Sequence, residues 1–332
     1  MSQKMTNTKD FYKMENLTKI LKSGEITPYT MAGNAVLEPE RGIEFIKTIT
    51  DKSALLKAVK IVRTSKLDKE LDVHYLADRM LHRVKEGIGT NNYQSITNTP
   101  VMLRNLRVDL DVAVLRSTLE DNRDNPNFEK EIFDEFSTNF SNNLSDLALN
   151  GEEEQSKEEG RLNAFETFTK LNKGYIQILK DAEGTIKLTG KSNVLDSLKA
   201  VAKAIPSEIF SEAVILANPM DLTSLQDEVG SKNGGLAILL NGGAKSVLGV
   251  PVIATDFMPR GTYIATALRN MIFSYGSDIE VKRWYDNDKE ALKYRFSLYC
   301  DFQIAVPKWA VLSTGGGDGN VVTGNNSGAI GN

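Results

Sequence analysis

Cysteine and histidine are scarce in this sequence. Its 332 residues include one cysteine, Cys300, and two histidines. A single cysteine cannot form an intrachain disulfide, which is typical of a protein that folds in a reducing compartment such as the cytoplasm. A nucleophilic cysteine usually has a partner base such as histidine. Both histidines lie more than 200 residues before Cys300, and Cys300 falls on the apolar face of a predicted strand. We therefore interpret it as a core residue.

A positive net charge and a long apolar run are also missing. Lys and Arg total 40 against 44 for Asp and Glu, which gives a net charge of -4. This argues against a protein that mainly binds nucleic acid, because neutralising phosphates takes cations, but it leaves room for a DNA contact on one local face. No apolar run approaches the roughly 20 residues of a membrane helix. The N-terminal "MSQKMTNTKDFYKMENL" has no apolar core of a signal peptide.

A metal site is one hypothesis for the two histidines. His74, Asp78 and His82 stand four residues apart in "HYLADRMLHRVKEG", which a helix would bring near one face. The segment is charged, however, and no further ligand cluster is evident. We favour a solvated helix face over a metal site.

Three other segments are weak candidates for chemistry. "RWYDNDKE" (283–290) offers carboxylates whose spacing suits a hairpin turn better than a cleft. "GGLAILLNGG" (234–243) superficially resembles a phosphate loop but matches neither GxGxxG nor GxxxxGK[ST]. The acidic run 152–159 is interpreted as a solvated loop. We therefore expect no catalytic residue, no cofactor site and no metal site.

The first part of the chain predicts an arm followed by a protruding hairpin. Residues 1–45 are polar, with weak helical periodicity. Residues 55–64 and 101–114 are predicted strands, the second with alternating apolar positions. About 36 charge-rich residues lie between them, and a compact domain rarely leaves so long a loop without a use for it.

One long helix and one long strand dominate the rest. Asn125 and Pro126 are typical of a helix start and Asn150–Gly151 of a stop, so the helix is about 35 Å long. Its apolar stripe is Phe128, Ile132, Phe133, Phe136, Phe140, Leu144 and Leu147. The strand covers residues 294–306, with apolar residues at every second position and Arg295, Ser297, Tyr299, Asp301 and Gln303 on the other face. We expect it to pair with 278–285 through the turn "DND".

Shorter elements fill the intervening chain. We predict a helix over 195–205, a buried strand at 213–217, a helix from the cap Asn218 to about Val229, and strands near 262–266 and 270–275. "VLGVPVIATDFMP" (247–259) could be the wall of a pocket or a piece of framework. From Ser313 the chain is rich in Gly and Asn, which predicts a flexible tail. Together, the arm, hairpin, long helix, long strand and tail fit a subunit that interlocks with copies of itself.

Several segments, in order, resemble the major capsid proteins of tailed double-stranded DNA bacteriophages, the Hong Kong 97-like fold. They span about residues 107–312, and their detail is similar to the phage-P-two-like branch. The segments are "VDLDVAVLRSTLEDN", "FEKEIFDEFSTNFSNNLSDLALNG", "NKGYIQILKD", "AVILANPMDLTSLQDEVG", "VLGVPVIATDFMPRGTYIATALRNMIFSYG" and "IEVKRWYDNDKEALKYRFSLYCDFQIAVPKWAVL".

The resemblance implies an α+β subunit with five parts. These are an N-terminal arm (1–54), an extended loop formed by the hairpin (55–112), a peripheral domain with the long helix (113–220 and 271–312), an axial domain (221–270) and a flexible tail (313–332). Residues 247–259 would then be framework of the axial domain. The family's Lys–Asn cross-link has no matching sequence context here and is not carried over.

The resemblance also implies a function. The chain would be a non-enzymatic major capsid protein of the virion, assembled in the bacterial host cytoplasm into hexamers and pentamers of an icosahedral shell around double-stranded DNA. Its partners would be further copies, a portal protein, DNA contacted weakly on the inner face, and a separate scaffolding protein, because the arm and hairpin use up the residues ahead of the resemblance. No membrane partner is expected. An encapsulin-like compartment shell and a soluble nucleotide-binding enzyme are the alternatives.

Overall fold

The computed structural model describes residues 47–75, 97–122, 125, 128–152, 168–231, 245–276 and 280–315. These residues form the expected α+β fold. The helices are α1 (Ala54–Ala58), α2 (Arg116–Asp121), α3 (Phe128–Asn150), α4 (Tyr175–Asp181), α5 (Val194–Ala204) and α6 (Pro219–Gly230), and residues 47–52 are also helical. The strands are β1 (Lys60–Thr64), β2 (Asp68–Tyr75), β3 (Thr97–Arg104), β4 (Leu106–Leu115), β5 (Ile186–Thr189), β6 (Ala213–Ala217), β7 (Ser246–Val247), β8 (Val250–Ala254), β9 (Tyr263–Ala267), β10 (Met271–Gly276), β11 (Glu280–Asp286), β12 (Ala291–Ile304) and β13 (Val311–Thr314).

The chain divides into two compact units. Unit 1 takes Met1–Lys52, Arg107–Asn142 and Ser277–Tyr299, and unit 2 takes the remainder. The long helix α3 and the long strand β12 each begin in unit 1 and continue into unit 2.

Unit 1 packs the first part of α3 against the first part of β12. β11 and β12 pair antiparallel from Glu280↔Ser297 to Asp286↔Ala291, which confirms the predicted hairpin, and β4 also pairs with β12. The ring of Phe136 lies 5.9 Å from Tyr294 and 6.2 Å from Phe296, measured between centroids. The predicted apolar stripe of the helix therefore meets the apolar face of the predicted strand.

The end of α3 is a close backbone contact in unit 2. Gly151 donates its N–H to the Leu147 carbonyl at 3.0 Å, and its own carbonyl accepts the Gly174 N–H at 2.8 Å. A Cβ at Gly151 would lie 2.1 Å from the Asn172 carbonyl oxygen. The stop predicted at Asn150–Gly151 is confirmed, and its physical reason is that only glycine fits between these backbone segments.

Unit 2 holds a six-stranded sheet in the order β5-β13-β9-β6-β8-β7. β5 and β13 are parallel, as are β6 and β8, while β9 is antiparallel to both of its neighbours. Helices α5 and α6 contribute Leu198, Val201 and Leu225 to the same buried cluster as Ile215 and Tyr263 of the sheet. β9 is buried at all five positions, which is typical of a central strand.

Two predicted strands have different bounds in the structure. Residues 55–58 of the predicted strand 55–64 belong to the helix α1, because Ser53 caps this helix by accepting the Leu56 N–H at 3.1 Å. The predicted strand 101–114 is divided at Asn105 into β3 and β4. The other predicted elements after residue 190 agree with the structure to within about three residues at each end.

The predicted helix around His74 is wrong at its start. His74 lies in strand β2, opposite Asn98 of β3, so the four-residue spacing of a helix face does not apply to it. Asp78 and His82 lie outside the described residues, as do the glycine-rich segment 234–243, residues 153–159 of the acidic run and residues 316–332 of the predicted tail. Ser313 and Thr314, where the predicted tail starts, lie instead in the strand β13 and pair with β5.

Candidate assembly site

Unit 2 contains a two-stranded hairpin that does not pair with either of the larger described sheets. β2 and β3 pair antiparallel over eight residue pairs, from Asp68↔Arg104 to Tyr75↔Thr97. Among the described strands they pair only with each other. At about 3.4 Å per residue the paired part is roughly 27 Å long.

Apolar side chains fix the base of the hairpin to the strand β10. Val101 and Leu103 of β3 form a buried cluster with Ile272, against which Val62 of β1 also packs. Met102 lies between the two buried residues and is 48% exposed. β3 therefore buries one face against β10 and presents the other to solvent at Met102.

Asn105 forms a buried polar tie where the chain turns from β3 into β4. Its Nδ2 donates to Thr64 Oγ1 at 2.7 Å and to the Leu67 carbonyl at 3.2 Å, and its Oδ1 accepts from Ser274 Oγ at 2.9 Å. Its backbone N–H also donates to the Leu67 carbonyl, at 2.9 Å. One amide thus connects both ends of the hairpin base to β1 and β10, and this explains why the predicted strand breaks here.

Asp301 forms a second buried tie. It is 3% exposed; its Oδ2 accepts the Arg104 N–H at 2.8 Å and its Oδ1 accepts the Phe302 N–H at 2.8 Å. Burial raises the pKa of Asp301 to about 6, although the Arg104 and Gln303 donors act in the opposite direction. The carboxylate is therefore charged at pH 7 but close to its titration range.

The two ties meet at one place on the sheet. Ser274 and Asp301 are directly opposite in the antiparallel β10–β12 pair, so their side chains lie on the same face. A groove of about 510 Å³ adjoins this face. Its lining comes from the hairpin base, from the segment before α4, from α4 and from the end of β12, and includes Pro100, Met102, Arg104, Lys173, Ile178 and Ile304.

Cys300 is confirmed as a core residue. It is fully buried in β12, and burial raises the pKa of its thiol well beyond the ordinary range, with the Asp301 carboxylate adding to the shift. A thiol held in this protonated form is a poor nucleophile. In the described ranges there is no group of three or more His, Cys, Asp or Glu that could hold a metal ion.

The carboxylates of the 283–290 segment stabilise a turn. Asp286 accepts the N–H groups of Asp288 and Lys289 at 3.0 and 3.2 Å, and it forms an ion pair with Lys293. The hydrogen bond from Lys293 holds the pKa of Asp286 below its usual value. This is the turn of the β11–β12 hairpin, as the sequence indicated.

Residues 247–259 form the end of β7, β8 and the loop that follows, and the framework role that the resemblance implied for them stays a prediction. Val247 and Val250 are buried in the core of unit 2. The loop after β8 is held by Asn150, which donates to the Phe257 carbonyl at 2.8 Å, and by Asn218, which donates to the Met258 carbonyl. Phe257 is 41% exposed and has φ 65°, so this loop presents an aromatic ring in a strained backbone conformation.

The residues at the hairpin base were missed by sequence reasoning. Asp301 was placed on the polar face of a long strand, where nothing distinguishes it from Arg295 or Gln303. Asn105 was placed inside a predicted strand. A polar residue in a strand that is covered on both faces would have indicated a buried polar tie. The alternating pattern of β12, however, indicates that only one of its faces is covered.

The described fold thus carries a hairpin that is anchored at its base by two buried polar ties. A model of the Phage capsid family matches residues 33–313, so the chain belongs to that family. It is accordingly a structural protein of a phage shell, a major capsid protein, that assembles with copies of itself and is located in the virion. No helix of the described residues is long and apolar enough to span a membrane.

Solved structures share the fold at low sequence identity. The satellite phage P4 procapsid, which includes a size determination (Sid) protein, matches with a TM-score of 0.64 and 13% identity, over 83% of this chain and 99% of that chain. Microbacterium phage Oxtober96 matches with a TM-score of 0.54 and 13% identity, over 90% and 97%. A virus-like particle from Pyrococcus furiosus matches with a TM-score of 0.52 and 13% identity, over 82% and 98%. No curated protein sequence matches the chain.

These comparisons confirm the predicted family and do not favour the encapsulin-like alternative. At these identities the solved structures show the fold alone. The Hong Kong 97-like subtype and the phage-P-two-like branch stay predictions.

Proposed function

We propose that the β2–β3 hairpin joins neighbouring copies in the shell. The observation that carries this proposal is a hairpin whose described strands pair with no other sheet and whose base is nevertheless fixed by a buried apolar cluster and two buried polar ties. A segment that extends from such an anchor contributes little to the core of its own unit. Contact with another copy is the use that fits a shell-forming protein.

We further propose how the copies are arranged in the particle and which partners assist assembly. Copies arrange as hexamers and pentamers of an icosahedral shell around double-stranded DNA, with residues 221–270 as the axial domain, and 113–220 with 271–312 as the peripheral domain. A separate scaffolding protein and a portal protein assist. The net charge of -4 supports a weak DNA contact confined to the inner face. The protein acts by association and carries out no chemical reaction.

The experiment that tests the hairpin proposal shortens it without changing its base. Residues 72–100 are replaced by Asn-Gly, which suits the two-residue turn between the paired residues Leu71 and Val101. Val101, Leu103, Asn105 and the Arg104–Asp301 bond all remain. We expect a folded subunit, shown by circular dichroism and thermal unfolding close to those of the full chain, that forms no closed shells in negative-stain images. Normal particles from this variant would contradict the proposal.

A further inference from the structure

The position of Asp301 connects the hairpin to the sheet beneath it. Ile272 and Ser274 alternate along β10, and the register places Ser274 opposite Asp301. The face that carries these side chains is the one against which Val101 and Leu103 of the hairpin pack. The Asp301 carboxylate therefore lies at the contact between the hairpin base and the sheet.

The bond that Asp301 makes to the hairpin goes to the backbone. Its Oδ2 accepts the N–H of Arg104, the last residue of β3. A hydrogen bond to a charged acceptor is shorter and roughly twice as strong as a neutral one. Since a backbone N–H cannot turn away as a side chain can, this bond constrains the direction of the strand at the point where it leaves the sheet.

We propose that Asp301 fixes the direction in which the hairpin extends from β10 and β12, and that this tie loosens when the carboxyl group takes up a proton. The inference rests on the proposed role of the hairpin in joining copies. A rotation of about 10° at the base would move the far end of the paired strands by roughly 4–5 Å, given their length at 3.4 Å per residue. A shift of that size is enough to misplace a contact with a neighbour.

Several charged or titratable groups lie near Asp301. Arg104 and Lys173 line the same groove as Asp301, and Asp68 of β2 is paired with Arg104. The Asp301 charge also acts on Tyr175 of α4 and on Cys300 of β12. Burial raises the pKa of both Tyr175 and Cys300, so neither side chain ionises near pH 6.

Protonation changes the local tie and the global stability in opposite directions. A neutral carboxyl loses the charge that strengthens the Arg104 bond, and one of its oxygens becomes a donor. The folded-state pKa of about 6 lies above the ordinary value of 3.8. This group therefore contributes stability that is fully present below about pH 4 and is lost as the pH rises through 6. Mild acid should loosen the hairpin base without unfolding the subunit through this group.

The test is hydrogen exchange of the full chain, read at peptides that contain the Arg104 amide. The variant Asp301→Asn keeps the shape and removes the charge, and Asp286→Asn makes the same change in the β11–β12 turn of unit 1 as the control. We expect exchange at Arg104 to be about tenfold faster in Asp301→Asn at pH 7.5, the effect of one weakened charge-assisted bond. In the full chain and in Asp286→Asn, exchange corrected for the intrinsic rate should rise as the pH falls from 7.5 to 5.

Shell formation separates this inference from the proposed function. We expect Asp301→Asn to need an at least several-fold higher protein concentration for assembly than Asp286→Asn. If Asp301→Asn matches the control in Arg104 exchange and in assembly, while the shortened hairpin forms no shells, the inference is overturned and the proposed function stands. Normal shells from the shortened hairpin would overturn the proposed function, whatever the exchange data show. If Asp301→Asn does not fold, protection of Arg104 that stays constant from pH 7.5 to 5 in the full chain overturns the inference.

Discussion

Single residues show where polar groups are used inside this subunit. Asn105 and Asp301 are both nearly inaccessible, at 5% and 3% exposed, and both make hydrogen bonds to groups at the hairpin base. Burying such groups is costly unless they are paired. Their bonds are specific in direction, which apolar contacts are not, so they suit a part of the molecule whose orientation matters.

Cys300 should be chemically inert in the native protein. It is fully buried, and burial raises the pKa of its thiol. A reagent therefore cannot reach the sulfur, and the reactive thiolate does not form. We expect a thiol reagent to label native protein at least about a hundredfold more slowly than protein unfolded in guanidinium chloride. Labelling of the native protein within seconds, at the rate found for the unfolded chain, would contradict the burial of this residue.

At the scale of elements, the strongest periodic patterns were predicted correctly. The helix stripe from Phe128 to Leu147 became α3, and the alternating pattern of 294–306 became most of β12. Both patterns come from burial along a whole element, so they are visible without knowledge of the neighbours. The helix α1 was missed because its five residues are too few for a period and it starts from a single cap, Ser53.

The hairpin base could not be predicted from local sequence. The break at Asn105 depends on Thr64 and Ser274, which lie 41 and 169 residues away in the chain. The tie at Asp301 likewise joins residues separated by 197 positions. Contacts of this kind follow from tertiary structure, which overrides the strand pattern that residues 101–114 show on their own.

The end of α3 should tolerate no side chain at Gly151. A Cβ there would lie 2.1 Å from the Asn172 carbonyl oxygen, whereas a Cβ at Gly184 would have its nearest neighbour at an ordinary 3.5 Å. We expect Gly151→Ala to lower the free energy of unfolding by about 3 kcal/mol or more. The matched control Gly184→Ala should change it by about 0.5 kcal/mol at most. Urea unfolding of the two variants measures both, and equal effects would refute the close backbone contact.

At the scale of the whole molecule, function comes from many contacts acting together. Each contact between copies can be weak, but a subunit in a closed shell touches several neighbours at once, so the contacts add. Assembly should therefore begin steeply above a threshold protein concentration. Because the net charge is -4, high salt should screen repulsion between copies and leave assembly intact, unlike a complex that depends on phosphate contacts.

Light scattering of the purified full chain tests the central claim, that this protein acts by associating into shells. The measurement covers a range of protein and salt concentrations, with and without a scaffolding protein, and negative-stain images identify the scattering species. We expect a sharp rise in scattering above a threshold concentration, closed particles in the images, and assembly that persists at high salt. A species that stays monomeric or dimeric under all these conditions, with the scaffold present, would contradict the account.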